Sequence, residues 1–275
     1  MRKALLAFCY FLATAAALAF LALPILAIFV HVPPGRLIDQ LSNPVVTDAL
    51  IVSFKTTFIA QAFILLFGTP TAYLLASRRF PGRSLCVTLV ELPLVLPPAV
   101  AGIGLLAAFG RAGLLGSSLN AAGITIPFTQ TAVTIAVAFV ASPLYIRQAI
   151  AAFEAIDPNL VAASRTLGAG PARTFFRVIL PLSRGGLAAG EALAFARGLG
   201  EFGATIMFAG SLQKVTQTLP LAIYAEFEVN FDVTLAISAL LVLISAALLI
   251  SLKLTSLWQP SEQISPSRFA RLSWS

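Results

Sequence analysis

Glu191, Arg197 and Glu201 share one apolar stretch of this 275-residue chain. Arg197 and Glu201 stand four residues apart, the spacing at which opposite charges meet on one helix face. A charge in a membrane interior costs on the order of 2.5–3.5 kcal/mol, so such groups turn towards protein or water and find partners. Two uses follow. Arg197 could draw an anion along a pathway to which Glu201 and the hydroxyl of Thr205 contribute. Alternatively the pair neutralises itself and locks helices together, which is the preferred reading because stranding one buried charge is costly. Other reactive groups are sparse. His31 is the only histidine, too few for a zinc site or a relay between histidines, and it reads as interfacial. Cys9 and Cys86 have no metal-ligand spacing and are expected to fill small gaps in the core. Glu91 reads as a capped or snorkelling carboxylate. There is no H-E-x-x-H or G-x-S-x-G motif, which argues against a protease or hydrolase. Nor is there a G-x-x-x-x-G-K-[ST] phosphate loop; the nearest stretch, GSLQKVT from Gly210, lacks the second glycine.

The elements that position these groups are membrane-spanning. The chain is 59% hydrophobic and 11% charged, against about a quarter charged in a soluble domain, and its mean hydropathy is +0.94. Six apolar segments, near 4–30, 49–76, 85–109, 131–150, 187–209 and 233–254, each approach the roughly 20 residues a spanning helix needs. The first is too long for a signal-peptide core and is expected to be retained. Pro24, Pro70, Pro93, Pro97 and Pro98 interrupt several segments, and LPLVLPP from Leu92 is expected to be a kinked or irregular stretch buried in protein. Basic residues orient the chain. Arg2, Lys3, Arg78, Arg79, Arg83, Arg147, Arg165, Arg173, Arg177, Arg184, Lys253, Arg268 and Arg271 fall on one side, but only Arg36, Arg111 and Lys214 on the other. The positive-inside rule then places both termini in the cytoplasm of a multi-pass cell-membrane protein. The net charge of +7 is spread over short loops rather than gathered in a patch, so nucleic acid is not the expected partner. The expected organisation is an N-terminal helix and outer loop (1–47), a transmembrane domain (48–254) and a polar cytoplasmic tail (255–275).

The longest inner loop, 147–186, has helix punctuation. Asp157-Pro158 offers an N-cap followed by proline at the first helical position. The helical stretch NLVAASRTL stops at Gly168, a residue suited to a left-handed C-terminal position. Gly170-Pro171 starts a second short helix, ARTFFRVIL, expected to end before Pro181. Leu160, Ala163 and Leu167 share one face of the first helix, and Phe175, Val178 and Ile179 form an apolar side of the second. Amphipathic helices lying on headgroups would be the bland reading. The first helix is too short and alanine-rich for that, and looks built to fit a groove on another protein.

The stretch AASRTLGAGPARTFFRVILPL resembles the cytoplasmic loop of membrane subunits of ABC importers of type I, whose pattern is Glu-Ala-Ala, three residues, Gly, nine residues, Ile-x-Leu-Pro. Ala162-Ala163-Ser164, Gly168 and Val178-Ile179-Leu180-Pro181 occupy the matching positions. Ala162 replaces the opening glutamate, so a polar contact made there in the family is not expected here. The resemblance runs from about residue 48 to 254. It implies an all-α integral membrane fold of six transmembrane helices with a cytoplasmic coupling helix. Ala162, Ala163, Ser164, Leu167, Gly168, Phe175, Leu180 and Pro181 would then engage a separate ATPase subunit, present in two copies. It also implies that ATP and Mg sit on that ATPase, with no cofactor on this chain, and that an extracytoplasmic oxyanion-binding protein delivers cargo to a homodimer. LPLVLPPAVAGIGLLAAFGRAGLLG, GLGEFGATIMFAG and TQTLPLAIY are similar to the molybdate branch, and tungstate is not separable from molybdate by size. The sulfate or thiosulfate branch is similar around Gly200-Glu201-Phe202-Gly203 but less so elsewhere. A dianion would need hydroxyl, amide or backbone N–H donors, since a fixed cation would hold it too tightly to release. An ion-gradient carrier, the rival class, would predict two homologous halves, and no internal repeat is evident. A channel would need selectivity rings but no docking loop.

Overall fold

The computed structural model describes residues 2–31 and 34–257, and every regular element among them is helical. Most of the expected tail therefore lies outside the described residues. The helices are α1 (Arg2–His31), α2 (Pro34–Leu41), α3 (Pro44–Ser77), α4 (Arg83–Val95), α5 (Pro98–Phe109), α6 (Gly116–Ala121), α7 (Gln130–Glu154), α8 (Pro158–Thr166), α9 (Pro171–Leu199), α10 (Gly203–Ala209), α11 (Leu219–Glu226) and α12 (Phe231–Leu257). Five of them, α1, α3, α7, α9 and α12, are long and apolar enough to cross a membrane, and α4 with α5 makes a sixth span bent by 116°.

Start signals sit where side chains can satisfy the free backbone N–H groups. Asn43 accepts from the Val45 N–H at 2.9 Å ahead of Pro44, and the Thr129 hydroxyl accepts from the Ala132 N–H at 3.3 Å. Helix α7 is central. It packs against α3, α4, α9 and α10, and supplies Val133, Val137 and Val140 to one core and Tyr145, Ala149 and Phe153 to another. A third core joins the N-terminal parts of α3, α11 and α12 through Val46, Leu219 and Ile237. Helix α1 packs on α12, and from Leu6 to His31 none of it is buried, as suits a helix with lipid for solvent.

Three local readings change. Helix α9 begins at Pro171, not near 187, so the expected second short helix does not stop before Pro181 but runs on into the fifth span. The physical reason is a π-turn at Phe175–Ile179, in which the Leu180 N–H bonds the Phe175 carbonyl. That wider turn accommodates a proline whose ring would otherwise meet the carbonyl four residues back. Pro70 follows a second π-turn, Ile64–Gly68, in the same way. The LPLVLPP stretch does bend, at Leu96-Pro97, yet this chain does not bury it: Val95 is 82% exposed. Cys9 and Cys86 are exposed rather than core fillers, because each falls on an outward face of its helix.

Candidate functional site: the α8 loop and the α9–α10 break

Helix α8 is defined at both ends by side-chain and backbone chemistry. Asp157 accepts from the Asn159 N–H at 2.9 Å, with Pro158 in the first turn. At the other end the Gly168 N–H bonds Arg165 O at 3.0 Å and the Ala169 N–H bonds Ser164 O at 3.1 Å. That is a Schellman closure, and Gly168 takes the left-handed conformation it requires, φ +81°. No atom lies within 4 Å of where a Cβ would stand. The constraint at Gly168 is therefore the backbone and not the space.

The loop residues divide by direction. Ala162, Ala163 and Gly168 are exposed, and so are the apolar Leu160 and Leu167, the latter to 87%. Together they leave an uncovered apolar edge on a surface helix. Phe175 points the other way. Its ring packs on Tyr73 at 4.8 Å and near Phe153 at 6.3 Å, tying the start of α9 to α3 and α7. Leu180 packs on the same core, while Pro181 is exposed. Phe175 and Leu180 thus anchor the loop from beneath, and neither belongs to its open edge. Ser164 is half-buried and its hydroxyl shares a 3.1 Å hydrogen bond with that of Thr174, joining α8 to the first turn of α9. Nearby, Arg83 donates to Glu154 at 2.8 Å and to the Leu75 carbonyl at 2.7 Å, and Arg147 pairs with Glu91 at 3.2 Å.

The second region is the break between α9 and α10. Arg197 and Glu201 form an ion pair at 2.7 Å, with Glu201 only 1% exposed and Arg197 about one-third exposed. The second Glu201 oxygen accepts from the Ala204 N–H at 2.7 Å. One carboxylate thus pairs with a cation and caps the start of α10. The flanking glycines permit the packing: a Cβ on Gly198 would stand 2.8 Å from Val137, and one on Gly203 would stand 2.5 Å from Pro98. Thr205 is fully buried and its hydroxyl has no partner among the described residues; it does not open onto the surface of this chain. One oxygen of Glu191 is likewise buried without a partner.

Sequence reasoning passed over a buried polar stripe on α3. Ser53, Thr57 and Gln61 recur at four-residue intervals and are all at most 3% exposed. Ser53 accepts from the Leu219 N–H at 2.8 Å. Gln61 stands beside Gly198, and neither end of its amide is bonded among the described residues. The four-residue spacing of polar residues inside an apolar run was the available signal.

Comparison with known proteins agrees with this geometry. Residues 68–257 match the family described as "Binding-protein-dependent transport system inner membrane component". The "Molybdenum transport system permease protein ModB" of Mycobacterium tuberculosis is 44% identical over 237 residues, covering 86% of this chain and 89% of its own. The "Sulfate transport system permease protein CysT" of Salmonella typhimurium is 36% identical over 219 residues, 80% of this chain and 79% of its own. A bacterial ABC transporter involved in import of the acidic polysaccharide alginate has a chain of the same fold, with TM-score 0.66 at 16% identity over 93% of this chain and 96% of that one. The chain therefore belongs to the binding-protein-dependent transport system inner membrane components, the non-catalytic multi-pass membrane subunits of ABC importers.

Proposed function

We propose that this chain is the membrane-spanning subunit of an importer for molybdate or tungstate, acting as a homodimer with two copies of a separate ATPase and an extracytoplasmic oxyanion-binding protein. The observation that carries the cargo is the similarity to the molybdenum permease at 44% identity across 86% of the chain. The sulfate permease at 36% keeps sulfate as the second reading. ATP and Mg belong on the partner ATPase.

The α8 loop supports the coupling half of the reading. Leu160, Ala163 and Leu167 give an apolar edge for the ATPase to cover, with Ala162 beside it, and the Schellman turn at Gly168 fixes the edge's angle. Ser164, Phe175, Leu180 and Pro181 transmit movement of that edge into α9, because α9 is one helix from Pro171 to Leu199. At its far end α9 carries Arg197, whose partner Glu201 stands just beyond it in the break before α10. Of the proposed pathway groups, partly exposed Arg197 can meet an anion between two copies, while Glu201 and Thr205 act from behind it. Both termini and the α8 loop are cytoplasmic in this reading.

Uptake in cells whose own molybdate import is deleted tests it. Labelled molybdate should accumulate when this chain, its ATPase and its binding protein are expressed together, with tungstate competing strongly and sulfate weakly. Strong competition by sulfate would move the cargo to the second reading.

A further inference from the structure

At the end of the bundle that carries α8 lies an open groove of about 660 Å³, bounded by the end of α3, the turn into α4 and α8 itself. Its floor is apolar, with Tyr73, Phe153, Val161 and Ile179; its rim carries Arg79, Arg83 and Arg165. A second recess shares Tyr73, Ser77 and Arg165 and adds Arg78. The charges in the groove do not balance. Glu154 is the acid on its wall, and it is engaged by Arg83 at 2.8 Å. Arg78, Arg79 and Arg165 are exposed, and no carboxylate pairs with them among the described residues. Ala162 lines the same wall and brings no charge.

Positive charge at this end of the bundle is what topology demands, but topology alone asks neither for a concavity nor for an apolar floor beneath the charges. Guanidinium groups bind phosphate-type oxygens through paired N–H donors. Basic recesses between transmembrane helices at the membrane surface suit anionic headgroups, with the chains lying on apolar side chains below. We propose that this groove binds a phosphate-class oxyanion, brought to it as the headgroup of an anionic phospholipid. The bound headgroup bridges Arg79 after α3 to Arg165 on α8 and so braces the loop against the membrane. This holds whatever the cargo is, since it rests on the groove and not on the pathway.

The test uses the full transporter purified with its ATPase. Native mass spectrometry should find phosphatidylglycerol retained by the wild type. Retention should fall roughly tenfold or more in Arg79→Gln/Arg165→Gln, which removes two of the groove's charges. It should stay unchanged in Arg173→Gln, an exposed arginine that lines neither recess. Should the double variant fold poorly, Ser77→Glu places a carboxylate beside both recesses without removing an arginine, and must also lower retention. A second arm titrates inorganic phosphate onto delipidated complex. Phosphate binding that the double variant loses, with no lipid effect, keeps the site and assigns it to a free oxyanion. The proposal is overturned if the variants bind phosphatidylglycerol and phosphate as the wild type does. It is overturned equally if they lose only the ATPase, which would make the groove a protein contact.

Discussion

Gly168 carries the sharpest consequence at the scale of one residue. Its φ of +81° costs a residue with a Cβ about 1–2 kcal/mol, and most where the side chain is β-branched. Gly168→Val has room for its side chain, so it should change the exit angle of α8 without disturbing the membrane core. The expected protein inserts normally yet binds its ATPase poorly, or hydrolyses ATP without transport. Normal, fully coupled uptake by this variant would remove α8 as the coupling element. Arg197→Ala behaves differently, because it strands Glu201 at 1% exposure beside the start of α10. Breaking a fully buried pair costs roughly 3–5 kcal/mol, and the exposed side of Arg197 lowers that figure. Detergent thermal stability should drop while the ratio of molybdate to sulfate uptake stays fixed; the reverse result would give Arg197 the anion-contact role. Both positions were legible in the sequence, Gly168 from helix punctuation and the pair from its spacing. Gln61 was not singled out, since an amide in an apolar run looks alike whether or not it is bonded. Only packing shows that neither end finds a partner among the described residues.

Elements were legible where hydropathy and capping agree, and misplaced where basic residues cluster at a helix end. Arg173, Arg177 and Arg184 depress the apolar signal at the start of α9, and Pro181 reads as a stop. The π-turn at Phe175–Ile179 reverses that reading, and its consequence is mechanical. Two short helices would flex at Pro181, whereas one continuous helix would carry displacement from the loop to the α9–α10 break in the proposed coupling. The Ser164–Thr174 hydrogen bond is the clasp between α8 and that lever. Ser164→Ala should loosen α8 by about 0.5–1.5 kcal/mol without altering the outward Leu160 and Leu167. Faster amide exchange confined to 158–170 is the expected signature, with ATPase binding retained and coupling reduced. Unchanged exchange would mean that the ring packing of Phe175 on Tyr73 holds the loop unaided.

For the whole molecule, the proposed orientation rests on the basic residues and the proposed assembly on a surface that one chain leaves open. A cysteine at Ala169, in a background lacking Cys9 and Cys86, should resist impermeant thiol reagents in intact cells and react in inside-out vesicles; labelling from outside would invert the topology. Assembly is argued from the break in the sixth span. Non-helical backbone at membrane depth persists only where protein covers it or where it faces a water-filled cavity. Leu96-Pro97 breaks the sixth candidate span, between helices bent by 116°, and around it Val95, Val100 and Ile103 are at least half exposed. Lipid cannot hydrogen-bond carbonyls freed there, so the break calls for cover by further protein or by water, which a second copy and the aqueous path between the two would supply in the proposed homodimer. Val95→Cys in the same cysteine-free background should therefore cross-link to itself in native membranes, giving a species of twice the 28.9 kDa chain. An outward control, Phe20→Cys on lipid-exposed α1, should not cross-link. A native mass containing a different membrane subunit in place of the second copy would end the homodimer and strengthen the sulfate reading at the same time.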